Sequence, residues 1–395
     1  IIAAKIAAKN NLKTLLLEEK NEIGGSTIYQ DSDFFKIQNK KSSDWLKNET
    51  NELKKFNNLK IKTRTSVAAF HNYNYILARE NLTDHLNKEE KKNKIRQRLL
   101  KIRAKKVIIA TGSIERPLIF NNNDRPGIML SSAVKKYADY YGAICGKKNV
   151  FFTNNDSAYE SAISLNKKGL NVEAIIDIRE KSDSELVKEV EKIGIQIYWS
   201  HTVVDTNGYK RLKEITIMKL SKGGESVIEK KINIKCDCLG IAGGWTPAVH
   251  LFTQSGGKLK FRDDDQVFIP NIPQSKQISI GSSNGDFKLD DVIKNLLINV
   301  KNLLDIQSTE YDNLNIECPS ENFKKNIWLL PSDKVIGKTK PFVDFQNDAT
   351  AKDIKLALRE GYRSIEHVKR YTTTGMGTDQ GKLGNMHALG IIADT

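Results

Sequence analysis

The chain has 395 residues, 39% hydrophobic and 28% charged, with a net charge of +15 from 63 basic and 48 acidic side chains. That length carries two or three domains with real cores, and no apolar run reaches the ~18 residues that span a bilayer. The lysines are spread through the whole chain among many Asn and Ile, with one dense basic run at 91–106, so the charge reads as a solvated surface and not as a nucleic-acid footprint.

Residues 1–9 (IIAAKIAAK) put small and apolar side chains on more than one helix face, which suits a helix buried against a sheet. A turn at Asn10-Asn11 leads to the apolar run 13–17, which ends on Glu18-Glu19, and Gly24-Gly25 follow in a turn. Helix, turn, strand and terminal carboxylate form the second half of a Rossmann βαβ unit, in which the acid accepts hydrogen bonds from an adenosine ribose. The same pattern suits any parallel strand that ends in solvated acids, and this stretch alone does not choose between them. The glycine-rich loop of such a unit is absent before Ile1, as is an initiator Met, so the chain reads as a fragment.

Residues 34–59 read as a helix and loop covering the sheet. Residues 59–67 (LKIKTRTSV) alternate as a strand, and 71–78 begin a hairpin continued by 99–103. Residues 87–98 form a charged connection with no core of its own. A buried strand at 106–112 (KVIIATG) runs into Ala-Thr-Gly and an Arg-Pro, Arg-Pro-Gly loop. This is the crossover by which two-dinucleotide-domain flavoproteins return the chain beneath the cofactor.

A second βαβ spans 148–177: strand 149–152, turn 153–156, helix 157–168, Gly169 as its C-cap, strand 172–178. Its turn reads TNNDSA where a fingerprint would read G-x-G-x-x-G. Asp156 sits where a pyrophosphate needs bare N–H groups, so this domain is expected to keep the Rossmann shape without nucleotide affinity. Strands are expected at 194–204, 214–218 and 227–238. In the last, Ile232, Ile234, Cys236 and Cys238 share one face, which makes the Cys-x-Cys a core pair and not a metal site. No metal site is expected anywhere, and the four cysteines fit a reducing, cytoplasmic setting. No Cys-x-x-Cys or Cys-x4-Cys occurs, which excludes a thiol–disulfide reductase.

A second strand-to-glycine crossover follows at 239–261, where His250 reads as structural. Strand 278–285 (ISIGSSNG) and a helix at 286–304 come next. Gly281 is followed by Ser282 where FAD-binding relatives of this architecture carry Asp, which argues against FAD on this chain. Residues 307–335 read as a linker with a packed segment at Trp328. From Pro341 a small helical module begins: Thr350 caps a helix with Asp353 at its N3 position, Ile354, Ala357 and Leu358 form its buried stripe, and Gly361 ends it. A second helix at 364–371 and a polar loop at 372–382 follow. The fold class is therefore α/β, with two Rossmann-like dinucleotide-binding domains plus a small C-terminal helical module. Expected boundaries are 1–145, an inserted second domain at 146–240, a return of the first at 241–305, a linker at 306–340 and the module at 341–395.

The run PFVDFQNDATAKDIKLALREGYRSIEHVKRYTTTGMGTDQGK at 341–382, with GGWTPAVHLFTQSGGKLKF at 243–261 and FFTNNDSAY at 151–159, resembles the alpha subunit of heterotetrameric sarcosine oxidases. Related dehydrogenase alpha subunits carry cluster-ligating cysteines near 343–345 and 379. This chain has none there, so it is similar to the clusterless type. The resemblance implies an assembly with beta, gamma and delta subunits that oxidises sarcosine to glycine at FAD on the beta subunit. Electrons would pass to FMN at the alpha–beta boundary and then to O2, with the one-carbon unit taken by tetrahydrofolate on a domain beyond Thr395. It also implies NAD bound by Glu18, Glu19, Lys20, Ser26, Val67, Ser282, Phe287 and Leu289, and places Thr372, Thr373, Thr374, Gly375 and Met376 near the boundary flavin. Glu19, Lys20 and Leu289 serve equally well as surface or packing residues. No catalytic residue is expected on this chain. Two other readings stand beside this one: a self-contained pyridine-nucleotide-dependent FAD oxidoreductase, and the alpha subunit of a related amino-acid or opine dehydrogenase.

Overall fold

The computed structural model describes residues 1–30, 33–320, 323 and 326–395. They form two compact units. The first comprises Ile1–Ser113, Pro247–Asp263 and Val267–Cys318, the second Ile114–Thr246, Asp264–Gln266 and Pro319–Thr395. Four positions of the expected linker, 321, 322, 324 and 325, lie outside the described residues.

In the first unit the helix Ile2–Lys9 is buried along its length, and its alanines allow close approach on every side. Strand Thr14–Leu17 pairs in parallel with Leu59–Lys62, from Thr14 against Leu59 to Leu17 against Lys62. A second parallel pair joins Val107–Ile109 to Gln277–Ser279. Helix Leu289–Leu304 buries Ile293, Leu296, Leu297 and Val300 at helical spacing, in one cluster with Ile2, Ile6 and Ile280. The single strand expected at 59–67 is two strands. The chain leaves the parallel pair at Arg64, whose φ is +51°, and enters an antiparallel sheet of Thr65–His71, Tyr75–Asn81 and Gln97–Arg103. Two-residue alternation continues through such a corner, so the sequence pattern does not register it. The hairpin turn likewise falls at Tyr73 and Asn74, both with positive φ, inside the segment expected to be strand. Part of the expected linker belongs to this unit's core: Tyr311 is buried, and Ile316–Glu317 pairs with Lys36–Ile37.

The second unit is built on a parallel sheet in the order Ile128–Leu130, Cys238–Ala242, Asn149–Thr153, Val172–Asp177 and Gln196–Trp199. Helix Ser157–Lys167 connects strand Asn149–Thr153 to strand Val172–Asp177, and Ala158, Ala162 and Leu165 are buried. A three-stranded antiparallel sheet, His201–Asn207, Glu214–Leu220 and Val227–Lys235, contributes Val203, Ile215 and Ile217 to the same core. The Cys-x-Cys does not lie on one strand. Strand Val227–Lys235 ends before Cys236, the chain turns at Asp237, whose carboxylate accepts the Lys148 N–H (2.8 Å), and Cys238 opens a strand of the parallel sheet. Both thiols are nevertheless buried, which pushes their pKa values up to about 12 and leaves them unreactive. Ile232, expected on a buried face with them, is exposed.

The C-terminal helices Ala351–Arg359, Ile365–Thr372 and Asn385–Ala393 close around Val343, Ile354, Ala357, Val368 and Ile391. Thr350 and Asp353 form the expected capping box, with the Asp353 carboxylate accepting the Thr350 N–H (2.8 Å) and hydroxyl (2.7 Å). The third helix was not foreseen, because Gly384 and Gly390 punctuate it. Gly390 leaves room for the Trp328 ring, whose nearest atom lies 2.1 Å from where a Cβ would stand.

Candidate functional site

All eight residues expected to contact a dinucleotide lie in the first unit, in two groups. The first gathers at the end of strand Thr14–Leu17. The Glu18 N–H donates to Lys62 O (2.9 Å) and its carbonyl accepts the Thr65 N–H (2.8 Å), so the ladder continues one residue past the strand and places Val67 two residues along the neighbouring chain. Glu18 Oε1 accepts the Lys20 N–H (2.9 Å), and Lys20 O accepts the Arg64 N–H (2.7 Å). This turn fixes a half-buried carboxylate at the strand end while leaving it further lone pairs. Glu19 is exposed. Val67 packs on a small cluster with Phe70 and Phe252. Gly24, at φ +134°, stands where a Cβ would meet Leu46 and Ile28 (2.6 and 2.9 Å), and the exposed Ser26 follows in the short 3-10 turn Gly25–Tyr29.

The second group sits at the parallel pair Val107–Ile109 and Gln277–Ser279. The Ile280 N–H donates to Ile109 O (2.9 Å), Gly281 turns the chain at φ +66°, and Ser282 Oγ lies 3.9 Å from a Cβ built on Gly112. The Ala-Thr-Gly crossover and the Gly281-Ser282 turn therefore face each other. Phe287 and Leu289 are half-buried, and Leu289 packs against the helix cluster, the packing role that competes with ligand contact. The sequence reading passed over Asp286, a buried carboxylate that accepts from Asn284 Nδ2 (3.1 Å) and Asn295 Nδ2 (2.7 Å). Its signal is the Gly285-Asp286 pair, four residues beyond the Gly281-Ser282 that was read as lacking its acid.

The corresponding strand end of the second unit is chemically different. Asp177 is fully buried; it accepts the Tyr159 hydroxyl (2.7 Å), the Arg179 N–H (2.9 Å) and the Arg179 guanidinium at both oxygens (2.7–3.1 Å). Arg179 also pairs with Asp156 (2.8 Å), at the start of helix Ser157–Lys167. Burial works against the guanidinium's charge, but the hydrogen bonds and charge of Asp177, then the charge of Asp156, outweigh it and hold its pKa above the ordinary value.

Three further buried groups of the second unit are titratable. Glu115 accepts the Ser132 N–H (2.9 Å) and hydroxyl (2.5 Å) through one oxygen, and burial pushes its pKa up to about 7. Arg116 donates to the carbonyls of Gln266 (3.0 Å) and Asp265 (3.2 Å) and lies over the Trp328 ring; burial lowers its pKa to about 10. His387 is buried and stands edge-on to the Trp328 ring. Burial, then the Arg116 charge, push its pKa down to about 3. In the C-terminal module the segment read as a polar loop is partly interior. Thr372 ends a helix, Thr374 is buried with its hydroxyl 2.8 Å from that of Thr372, and the Gly375 N–H donates to Asp344 (2.7 Å), while Met376 is exposed. Among the described residues no group of three His, Cys, Asp or Glu is placed to hold a metal ion, and no helix is long and apolar enough to cross a membrane.

Residues 1–269 match the pyridine nucleotide-disulphide oxidoreductase family, and the chain belongs to it. Residues 338–395 match the sarcosine oxidase A3 domain. Over its whole length the chain is 31% identical to the sarcosine oxidase alpha subunit of Corynebacterium sp. (strain P-1) and 30% identical to that of Rhizobium meliloti (strain 1021). It spans 41% and 38% of those two relatives. Its fold is similar to that of L-proline dehydrogenase from P. horikoshii, at TM-score 0.69 and 19% identity, covering 99% of this chain and 71% of that one. It is also similar in fold to T. acidophilum thioredoxin reductase, at TM-score 0.56 and 17% identity, covering 77% of this chain and 92% of that one.

Proposed function

We propose that this chain is the nucleotide-binding part of the alpha subunit of a sarcosine oxidase, and that it binds one NAD in its first unit. The observation that carries the reading is Glu18: a carboxylate at the end of a parallel strand, oriented by the Lys20 N–H and with acceptor capacity left for ribose hydroxyls. Lys20 and Val67 border it, and Glu19 and Ser26 follow on the surface. Ser282 and Phe287, with Leu289 behind them, flank the facing crossover. Ser282 follows Gly281, and the nearby Asp286 carboxylate is held by Asn284 and Asn295, which favours NAD over FAD there.

In this reading the chain scaffolds an oxidase whose chemistry lies on its partners: a beta subunit holding FAD, an FMN near Thr372, Thr373, Thr374, Gly375 and Met376, and gamma and delta subunits completing a cytoplasmic heterotetramer. Sarcosine would become glycine with O2 reduced to hydrogen peroxide, and tetrahydrofolate would take the one-carbon unit. The similarity of this whole chain to part of the named alpha subunits, and the A3-domain match, support it. The rival reductase reading requires a second nucleotide site, and the ion-paired Asp156 and Asp177 disfavour one.

The test is calorimetric titration of the full-length subunit with NAD. Glu18→Ala should weaken binding roughly 10- to 100-fold, the worth of one or two hydrogen bonds to a charged acceptor. Unchanged affinity would remove the basis of the assignment.

A further inference from the structure

Open α/β sheets bind ligands in the crevice outside the carboxyl ends of their strands. In the second unit that crevice is bordered by the turn after Thr153 and by Gly243-Gly244 after Ala242. Every part of the turn is tied down. Thr153 Oγ1 accepts the Asn155 N–H (3.0 Å), and Asn155 Oδ1 accepts the N–H (3.0 Å) and hydroxyl (2.6 Å) of Ser157, the groups a phosphate would need. Asn155 also forms a β-bridge with Phe323. The Asn326 amide lies 2.9 Å from Asn154 Nδ2 and within reach of Gly243 O (2.9 Å) and the Arg116 guanidinium (3.2 Å), while its N–H donates to Gln266 (2.6 Å). Gly244, at φ +95°, has no room for a Cβ, which would meet Arg116 at 2.9 Å and Phe323 at 3.0 Å.

We infer that this crevice is a socket filled by the chain itself. Arg179 bridges the strand-end Asp177 and the helix-start Asp156, the two points where the ribose and pyrophosphate of a dinucleotide would rest, and Asp156 supplies the negative charge that a phosphate would bring. Phe323 and Asn326 cover the turn. The socket holds the segment that carries Trp328 into the core of the C-terminal helices, where the ring meets His387 and Arg116. A Rossmann-like fold that would otherwise bind a nucleotide therefore serves as the seat of the C-terminal module, and this conclusion does not depend on what Glu18 binds.

The experiment uses the full-length subunit and a photoreactive azido-NAD as probe, with labelled peptides mapped by mass. The socket predicts no label within residues 149–168. Arg179→Ala should lower the melting temperature on the order of ten degrees, since it removes the cation that bridges two buried carboxylates. Asn326→Ala should speed proteolytic cleavage between residues 326 and 340 several-fold, by raising the population of the opened segment. If Arg179→Ala fails to fold, Asn326→Ala and the labelling still decide. Label within 149–168 of the unaltered protein, or both variants indistinguishable from it in melting and proteolysis, would overturn the inference. A protein that takes no label anywhere counts against the Glu18 reading alone.

Discussion

Two strand ends in this chain carry the same acid–x–base pattern and end in opposite states. Strand Thr14–Leu17 runs into Glu18-Glu19-Lys20, and strand Val172–Asp177 ends in Asp177-Ile178-Arg179. Each carboxylate accepts the N–H two residues on, at 2.9 Å in both cases. The difference lies in the basic side chain. Arg179 folds back over Asp177 as a planar fork and reaches Asp156 as well, whereas among the described residues Lys20 makes no ion pair. A carboxylate saturated from within has nothing to offer a ligand. A strand-end acid thus marks a nucleotide site only when its own neighbours leave it unsatisfied.

The largest test of this contrast compares the two acids directly. Asp177→Ala takes from the buried Arg179 guanidinium the carboxylate that binds it at both oxygens, and should cost about 3–5 kcal/mol of unfolding free energy. Glu18→Ala, at a half-exposed turn, should stay within ~1 kcal/mol. Denaturant unfolding of the two variants measures both, and equal losses would erase the distinction. Glu115 extends the comparison to a buried acid of the second unit that makes no ion pair among the described residues. Its folded pKa is raised from 4.5 to about 7, so between those values the folded state holds a proton that the unfolded state releases. Stability therefore falls as pH rises through that window, by up to ~1.4 kcal/mol per pH unit and about 3 kcal/mol in all. His387 acts in the opposite sense: its folded pKa of about 3 lies below the unfolded 6.5, so stability rises with pH between those values and is flat above them. Glu115→Gln should accordingly stabilise the protein at pH 8 by a few kcal/mol and leave stability rising with pH between 4.5 and 6.5, where in the unaltered protein the two groups oppose each other. An unchanged profile would show Glu115 to be ionised already.

Much of this was legible in the sequence for a physical reason. The buried helix Ile2–Lys9, the acid-terminated strand, the two glycine crossovers and the Thr350–Asp353 box are local patterns, each set by spacing or by one backbone requirement. What escaped depends on contacts between distant positions. Nothing near Arg179 announces that its guanidinium spans two carboxylates. The corner at Arg64 and the sheet change between Lys235 and Cys238 lie within continuous alternation. The TNNDSA turn marks Asp156, but the residues argued to fill the crevice, Phe323 and Asn326, stand ~170 positions away, in a stretch that reads as linker.

The finest test rebuilds the second strand end inside the first. Lys20→Arg turns Glu-Glu-Lys into the Asp-Ile-Arg pattern and supplies a planar fork two residues beyond Glu18. The main-chain bond from Lys20 to Glu18 Oε1 already sets the geometry in which Arg179 closes on Asp177, so the new guanidinium has a short path to the carboxylate. At this half-buried site water competes for both groups, so the internal pair should be worth no more than ~1 kcal/mol. A nucleotide would have to displace it, weakening NAD binding several-fold in the full-length subunit while stability stays unchanged or rises slightly. The smallness of the effect is itself informative: it separates the part of self-occupation that comes from the side chain from the part that comes from burial. Tighter NAD binding by Lys20→Arg would mean that the fork engages the ligand's phosphates, and that the two strand ends differ by burial alone.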